Sequence, residues 1–387
     1  MRIFAIFTIL IMLLSACNNS SNNDADQVQI EGHFTKSSNE PIFLLELNAE
    51  ELTKVDSTVI DENGYFRFKF VPSENPQFYV VRSDHFNQAV TLLVKPGEHI
   101  DLGGDLPNLN HDYQVANSPG SERVRKLTQI INSHMDVVTD LYSEYRDNPD
   151  SLDLNTLRAK VDSLLKVNQV SVYEDVRSFI KEEPSSLSAL LALYSTFGRN
   201  SILEYKYDSD LFNLVSDSLI HKYPNSSHAI KLHQKVLDLK KADELKRERE
   251  AVLEPGKVFP EIILYDIDNK PRYLTRCKAK VCIVTAWAST DKPSWDLNEK
   301  LKKLYRKYHA EGLEIFAISF DTDKLAWTNY CHMNHWDWIN VIGYPREKQM
   351  LNAEEKLPRV FVLDANRKVL AKDPEWDNLA AIIEQNL

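Results

Sequence analysis

The stretch that most limits what this chain can fold into is Lys280 to Ala286, an apolar, β-rich run that ends against Trp287. Its apolar residues do not alternate with polar ones, so a strand made from it has no face to offer water. Such a strand belongs in the middle of a sheet covered on both sides, the arrangement of α/β proteins. The downstream residues agree. After Pro293 come Leu297, Leu301, Leu304, Tyr305 and Tyr308 at helical spacing, then a second apolar run, Leu313 to Ser319, and a helix over Leu325 to Asn334. Leu357 to Asp364 reads as a strand, Ala365-Asn366 as a turn, Val369-Leu370 as a last strand and Leu379 to Ile383 as a closing helix. Ile262 to Tyr265 leads in after Pro255-Gly256. Strands alternating with helices predict an α/β domain over 251–387.

Residues 281–295 read Val-Cys-Ile-Val-Thr-Ala-Trp-Ala-Ser-Thr-Asp-Lys-Pro-Ser-Trp. This resembles the strand-to-helix corner of thiol-disulfide oxidoreductases of the TlpA/ResA (AhpC/TSA-like) group, which reads like Phe-Trp-Ala-Ser-Trp-Cys-x-Pro-Cys. Trp287, Ala288, Ser289 and Pro293 match, and the two cysteines fall on Asp291 and Ser294. The resemblance implies a thioredoxin-like fold over the whole of 251–387. A carboxylate and a hydroxyl cannot exchange disulfides, because that chemistry needs a thiolate attacking sulfur. The positions Asp291, Lys292, Pro293 and Ser294 are therefore read as a degenerate active site with no catalytic residue. In the resembled family a cis-proline faces this corner and its neighbour pairs with an extended peptide. Pro358 and Leu357 stand at that place, so Trp287, Leu357 and Pro358 are expected to line a peptide groove.

Other readings of these residues are weaker. Asp291 at a helix start is explained as a cap favoured by the helix dipole. Ser294 as a hydrolytic nucleophile needs a positioned base, and the nearest histidines, His332 and His335, fall on a different expected helix. Cys331 and His335 are four apart and could share a helical face as metal ligands, but no third or fourth ligand stands near them. Cys277 and Cys282 are read as small buried residues, since a disulfide along an extended backbone would be strained. No metal and no cofactor are expected.

Residues 27–117 predict an antiparallel β-sandwich. The clearest element is a hairpin from Val55 through Asp61-Glu62-Asn63-Gly64 to Phe70, with alternation on both sides of an Asn-Gly turn. Asp61 to Phe68 and Pro96 to Ile100 resemble motifs of a small β module of uncharacterised function that precedes thioredoxin-like domains in bacterial envelope lipoproteins. Residues 118–250 predict helices: Val124, Leu127, Ile131, Met135, Val138 and Tyr142 step by three or four. Breaks fall at Asp147 to Asp150, near Pro184 and near Pro224, and Lys235 to Glu250 is a charged helical run. The chain is thus read as multidomain.

Arg2 and the apolar run Ile3 to Leu14 predict an export signal over 1–16, too short to span a bilayer, which takes about 20 apolar residues. Leu14-Ser15-Ala16-Cys17 matches a lipobox, so Cys17 is the expected lipid anchor, followed by a polar tether over 17–26. The resemblance to bacterial lipoproteins implies sorting to the outer membrane, since Asn18, not an aspartate, follows the cysteine. The 387 residues carry a net charge of -11 without a basic stripe, which excludes nucleic acid as a partner. The expected partners are the membrane, through Cys17, and an unidentified envelope protein or peptide. The reading is a lipid-anchored, redox-inactive binding or scaffold protein; the alternative is an oxidoreductase that uses a non-standard cysteine.

Overall fold

The computed structural model describes residues 26–37, 39–147 and 154–387. The export signal, Cys17, nearly all of the tether and the break after Asp147 lie outside the described residues. The chain divides into two compact units between Leu237 and Asp238. Among the described residues no helix is long and apolar enough to cross a membrane.

The first unit opens with strands β1 (Val28–Thr35), β2 (Pro41–Leu47), β3 (Leu52–Val59), β4 (Tyr65–Phe70), β5 (Gln77–Ser83), β6 (Gln88–Val94), β7 (His99–Asp105) and β8 (Tyr113–Ala116). They form two four-stranded sheets, ordered β4-β1-β7-β8 and β3-β2-β5-β6. Ile30, Phe68, Ile100, Leu44, Tyr79 and Leu92, drawn from both sheets, share one buried cluster. The period-2 pattern of Tyr65 to Phe70 places Phe66, Phe68 and Phe70 inward, as alternation requires. The Asn-Gly turn is built as its sequence suggests. Asp61 Oδ1 accepts from the amides of Asn63 (2.9 Å) and Tyr65 (2.8 Å). Gly64 has φ +88°, and a Cβ there would stand 2.5 Å from the Phe34 carbonyl oxygen, so the turn needs glycine. One pairing departs from the antiparallel expectation: β1 runs parallel to β7. Parallel neighbours need a long crossover, and β2 to β6 supply it.

Helices α1 (Pro119–Asp147), α2 (Leu154–Glu182), α3 (Leu187–Leu193), α4 (Tyr205–Lys222) and α5 (Ser227–Ala251) follow, with a short hairpin of β9 (Thr196–Phe197) and β10 (Asn200–Ser201). Alternation along β5 and β6 turns Phe78 and Leu93 away from the sandwich core. Both join Val124, Phe179, Leu187, Leu211 and Leu232 in a second cluster. The helices of this unit therefore cover the outer face of one sheet. The charged run expected at Lys235 to Glu250 is the latter part of α5, which starts earlier because Ala229, Leu232 and Val236 give it a buried side.

The second unit carries β11 (Ile263–Asp266), β12 (Pro271–Tyr273), β13 (Val281–Trp287), α6 (Lys292–Tyr308), β14 (Leu313–Ser319), α7 (Lys324–Asn334), β15 (Ile339–Ile342), α8 (Pro345–Met350), β16 (Arg359–Asp364), β17 (Val369–Lys372) and α9 (Trp376–Asn386). Its seven strands are ordered β12-β11-β15-β14-β13-β16-β17. Every residue of β13 is buried, parallel to β14 and antiparallel to β16. Alternation splits its side chains between two cores: Val281, Ile283 and Trp287 on one face, Cys282, Val284 and Ala286 on the other.

The part of α5 from Asp238 onward belongs to the second unit, and its end is held there by charge. Arg359, 5 % exposed, donates from Nη1 to Glu250 (3.1 Å) and to the carbonyls of Leu351 (3.1 Å) and Asn352 (3.0 Å). Its Nε donates to Asp373 at 2.8 Å. Lys372 adds a 2.7 Å bond to Glu250 and reaches Glu254 as well.

Candidate functional site

The expected corner forms where β13 passes into α6. Trp287 is fully buried beneath it, with Tyr330 at 5.7 Å and Trp336 at 5.1 Å between ring centroids, the latter edge to face. Trp336 in turn stacks on Trp338 at 4.9 Å. The corner thus rests on an aromatic floor in which each ring limits the tilt of the next.

Asp291 is the N-cap of α6, with extended φ and ψ of -101° and 113°. Its Oδ2 accepts from the Ser294 amide at 2.9 Å and from the Ser294 hydroxyl at 2.6 Å. The same hydroxyl accepts from the Ala288 amide at 3.4 Å. Ser294 is fully buried. The two residues that fall where the resembled family has sulfur are therefore bonded to each other, and both serve the helix start. The cap read from the sequence is the one observed, with Pro293 in the first turn as its fixed φ favours. A buried hydroxyl committed to a capping carboxylate has no access to substrate, so the geometry does not support hydrolysis at Ser294. Lys292 and Pro293 are exposed.

The loop before the helix is anchored from the neighbouring strand. Asp321 Oδ1 accepts from the Ser289 amide (2.9 Å) and hydroxyl (2.8 Å), and its Oδ2 from the Ser319 hydroxyl (2.6 Å). Trp295 Nε1 donates to the Ser289 carbonyl at 2.5 Å, and its ring, 42 % exposed, stacks on Tyr330 at 6.4 Å. Sequence reasoning passed over Asp321 and Tyr330. The one local signal was Ser319-x-Asp321 at the end of a buried strand, a side-chain turn pattern that does not reveal what else the carboxylate holds.

Leu357 and Pro358 come to the same end of the sheet. The register pairs Ala286 with Arg359, which sets Pro358 at the next step, beside Trp287. The Leu357-Pro358 bond is cis, as the resemblance implied. Trp287 itself does not line an open groove, because it is wholly buried. The exposed aromatic at the corner is Trp295 instead.

The remaining sequence candidates are dispersed. Cys331 is buried in α7, and burial, with the Asp321 charge behind it, pushes its thiol up to about 12. His335 lies past the end of α7 in the left-handed region (φ 49°), so it does not share a helical face with Cys331. Among the described residues no group of three or more histidine, cysteine or acidic side chains could hold a metal ion. Cys277 and Cys282 take part in core packing as read from the sequence: Cys282 belongs to one core of the sheet and Cys277 packs against it. Cys282 is buried but Cys277 is half-buried, and their sulfurs lie 3.6 Å apart. Cys277 ends a turn and is not part of the strand, so the pair does not run along an extended backbone.

The aromatic floor gives a measurable expectation. Trp287→Ala should destabilise the second unit by about 3–5 kcal/mol, the cost of emptying a large core site. Urea unfolding followed by circular dichroism would read it, and a loss below about 1 kcal/mol would show that the corner does not depend on this floor.

Comparisons with known proteins place both halves of this description. Residues 279–369 match the family model for thioredoxin-like proteins (Thioredoxin_8), and residues 28–123 match the domain of unknown function DUF4369. Thiol-disulfide oxidoreductase ResA of Geobacillus thermodenitrificans (strain NG80-2) is 28 % identical over 116 residues, which is 30 % of this chain and 66 % of that protein. The protein of the same name from Bacillus thuringiensis subsp. konkukian (strain 97-27) is 26 % identical over 122 residues, 32 % of this chain and 70 % of its own length. The matched stretches thus span about two thirds of these relatives. Among solved structures, the thioredoxin domain of a thiol-disulfide oxidoreductase from Bacteroides vulgatus is 25 % identical, covering 34 % of this chain and 97 % of that one at a TM-score of 0.31. A thiol-disulfide oxidoreductase from Bacteroides fragilis NCTC 9343 is 24 % identical, covering 34 % and 100 % at a TM-score of 0.31. The C-terminal α/β unit is accordingly a thioredoxin-like domain with ResA-like thiol-disulfide oxidoreductases among its relatives, carried on one chain with a separate DUF4369 module.

Proposed function

We propose that this chain is a lipid-anchored protein of the cell envelope, held at the outer membrane through Cys17, whose thioredoxin-like domain binds a polypeptide without exchanging disulfides at its corner. The observation that carries this reading is the bond between Ser294 and Asp291, 2.6 Å, where two sulfurs would otherwise stand. Around it stand the buried tryptophan, the Asp321 anchor, the helix start and Leu357-Pro358 at the same sheet end. A corner kept in shape without its thiols suits recognition. The exposed Trp295, Lys292 and the Leu357-Pro358 segment offer an aromatic face, a cation and an extended edge, a set that fits strand-like capture of a peptide.

The test is site-directed photo-crosslinking in cells, with a benzophenone amino acid at Lys292 and, as a control, at Lys303 on the same helix. Both positions are exposed. The expected result is a discrete adduct from position 292, absent from 303 and weakened at least several-fold by Leu357→Arg. Equal adducts from both positions, or adducts indifferent to Leu357→Arg, would show that the corner is not the binding surface.

A further inference from the structure

Cys277 and Cys282 stand apart from the corner in two ways. Cys282 lies five residues before Trp287 on β13, about 17 Å away at the rise of a strand, and it faces the opposite core from Trp287. The turn Leu274–Arg276 ends at Cys277, whose amide donates to the Leu274 carbonyl at 3.1 Å. Lys280 then re-joins the sheet by donating to the Gly312 carbonyl at 2.9 Å. The chain reverses over these few residues, and the two sulfurs meet at 3.6 Å. A disulfide needs about 2.05 Å, so an approach of about 1.5 Å closes one. Cys277 sits in a loop, outside the named strands.

The pair is also asymmetric in the sense that exchange requires. Cys277 is half-buried and Cys282 is buried, so an outside disulfide can reach only the first. The hydrogen bond between them draws the Cys277 thiol down, against burial and the Glu314 charge, and that same bond together with burial pushes Cys282 up. Glu314, the register neighbour of Cys282 on β14, is itself raised by burial. An accessible, more acidic thiol backed by a protected one is the arrangement in which the first attacks and the second resolves.

We propose that Cys277 and Cys282 form a second dithiol site, on the reverse face of the central strand, which takes up a disulfide by exchange with a small-molecule disulfide. The Cys277 thiol gives its proton to solvent and its thiolate attacks one sulfur of R–S–S–R. That bond breaks, R–S⁻ leaves and is protonated, and a mixed disulfide remains on Cys277. The Cys282 thiol then loses its proton, attacks the Cys277 sulfur and expels the second R–S⁻, which is protonated in turn. Two protein thiols are oxidised, one disulfide is reduced to two thiols, and the protons balance. The product ties the Leu274–Arg276 turn to the centre of the sheet. This site is independent of any binding at the corner.

The experiment uses the full chain, purified in detergent, reduced, and exposed to oxidised glutathione. The reaction is quenched in acid, free thiols are alkylated, and each cysteine is read by mass spectrometry after digestion. In the wild type, Cys277 and Cys282 should be recovered as a cross-linked pair while Cys331 stays free. With Cys282→Ala the reaction should stop at glutathione on Cys277, formed at least about tenfold faster than on buried Cys331. With Cys277→Ser, Cys282 should stay unmodified. The proposal is overturned if both sulfurs remain free in the folded wild type, if glutathione accumulates on Cys277 without a cross-link, or if Cys282 reacts as fast without Cys277. The wild-type readout decides the question even if a variant fails to fold.

Discussion

Arg359→Ala is expected to lower the stability of the second unit by about 3–5 kcal/mol, the cost of removing one partner from a buried ion pair. Arg359 is 5 % exposed and joins Glu250, Asp373 and two carbonyls. Its loss leaves two carboxylates and two backbone oxygens without their shared donor; Glu250 keeps Lys372 and Asp373 keeps the Val360 amide, but the Leu351 and Asn352 carbonyls and the facing carboxylate oxygens lose a bond in a buried place. Arg359→Lys should recover only part of the loss, because an ammonium cannot match a fork that donates from two sides. All six tryptophans, Trp287, Trp295, Trp327, Trp336, Trp338 and Trp376, lie in this unit, so tryptophan fluorescence during urea unfolding reports on it alone. A change below about 1 kcal/mol would mean that the network is dispensable.

The same network sets a pH dependence. Burial alone would raise the Glu250 carboxyl, but hydrogen bonds from Lys372 and Arg359 outweigh it and hold the group at about 2. A carboxyl whose pKa is depressed by folding stabilises above its unfolded value, near about 4.3. That contribution is lost as pH falls towards about 2. The urea midpoint of the wild type should therefore drop more steeply between about pH 5 and pH 2 than that of Arg359→Ala. Parallel profiles would show that Glu250 is not held by Arg359.

What could be read from the sequence was what short segments decide for themselves. The uninterrupted apolar character of 281–286 announced a central strand, and Asp291 before Lys292-Pro293 announced a cap, because both depend on residues within one turn or one strand. The Asn63-Gly64 turn was legible for the same reason. Contacts between segments distant in sequence were not. Asp321 looks like any loop carboxylate until the register of β13 and β14 brings it to Ser289. Arg359 looks like the first residue of a strand, and only packing gives it Glu250 from α5. The parallel pairing of β1 with β7 leaves no mark in either strand, since alternation is the same in both directions. The end of α7 at Asn334 was legible, and His335, one residue beyond it at φ 49°, is turned out of the face that its spacing from Cys331 suggested. The approach of the Cys277 and Cys282 sulfurs to 3.6 Å was not legible, because their spacing suggests an extended path and only the fold brings them together.

As proposed, the corner keeps a thioredoxin-like scaffold without the pair of sulfurs. Asp291 and Ser294 occupy the cap and the third position of the first turn of α6, with their side-chain oxygens 2.6 Å apart. Cysteines placed there would face each other at a helix N-terminus, where the dipole favours a thiolate. Lowering a thiol from about 8.5 to about 7 raises its reactive fraction at neutral pH by roughly tenfold. The decisive measurement is insulin reduction with dithiothreitol, comparing Cys277→Ser with the same protein carrying Asp291→Cys and Ser294→Cys, so that only the corner differs. The first should show no turnover above the dithiothreitol background, and the second at least tenfold above it. Turnover by Cys277→Ser alone, or a folded but silent double-cysteine protein, would contradict the proposal.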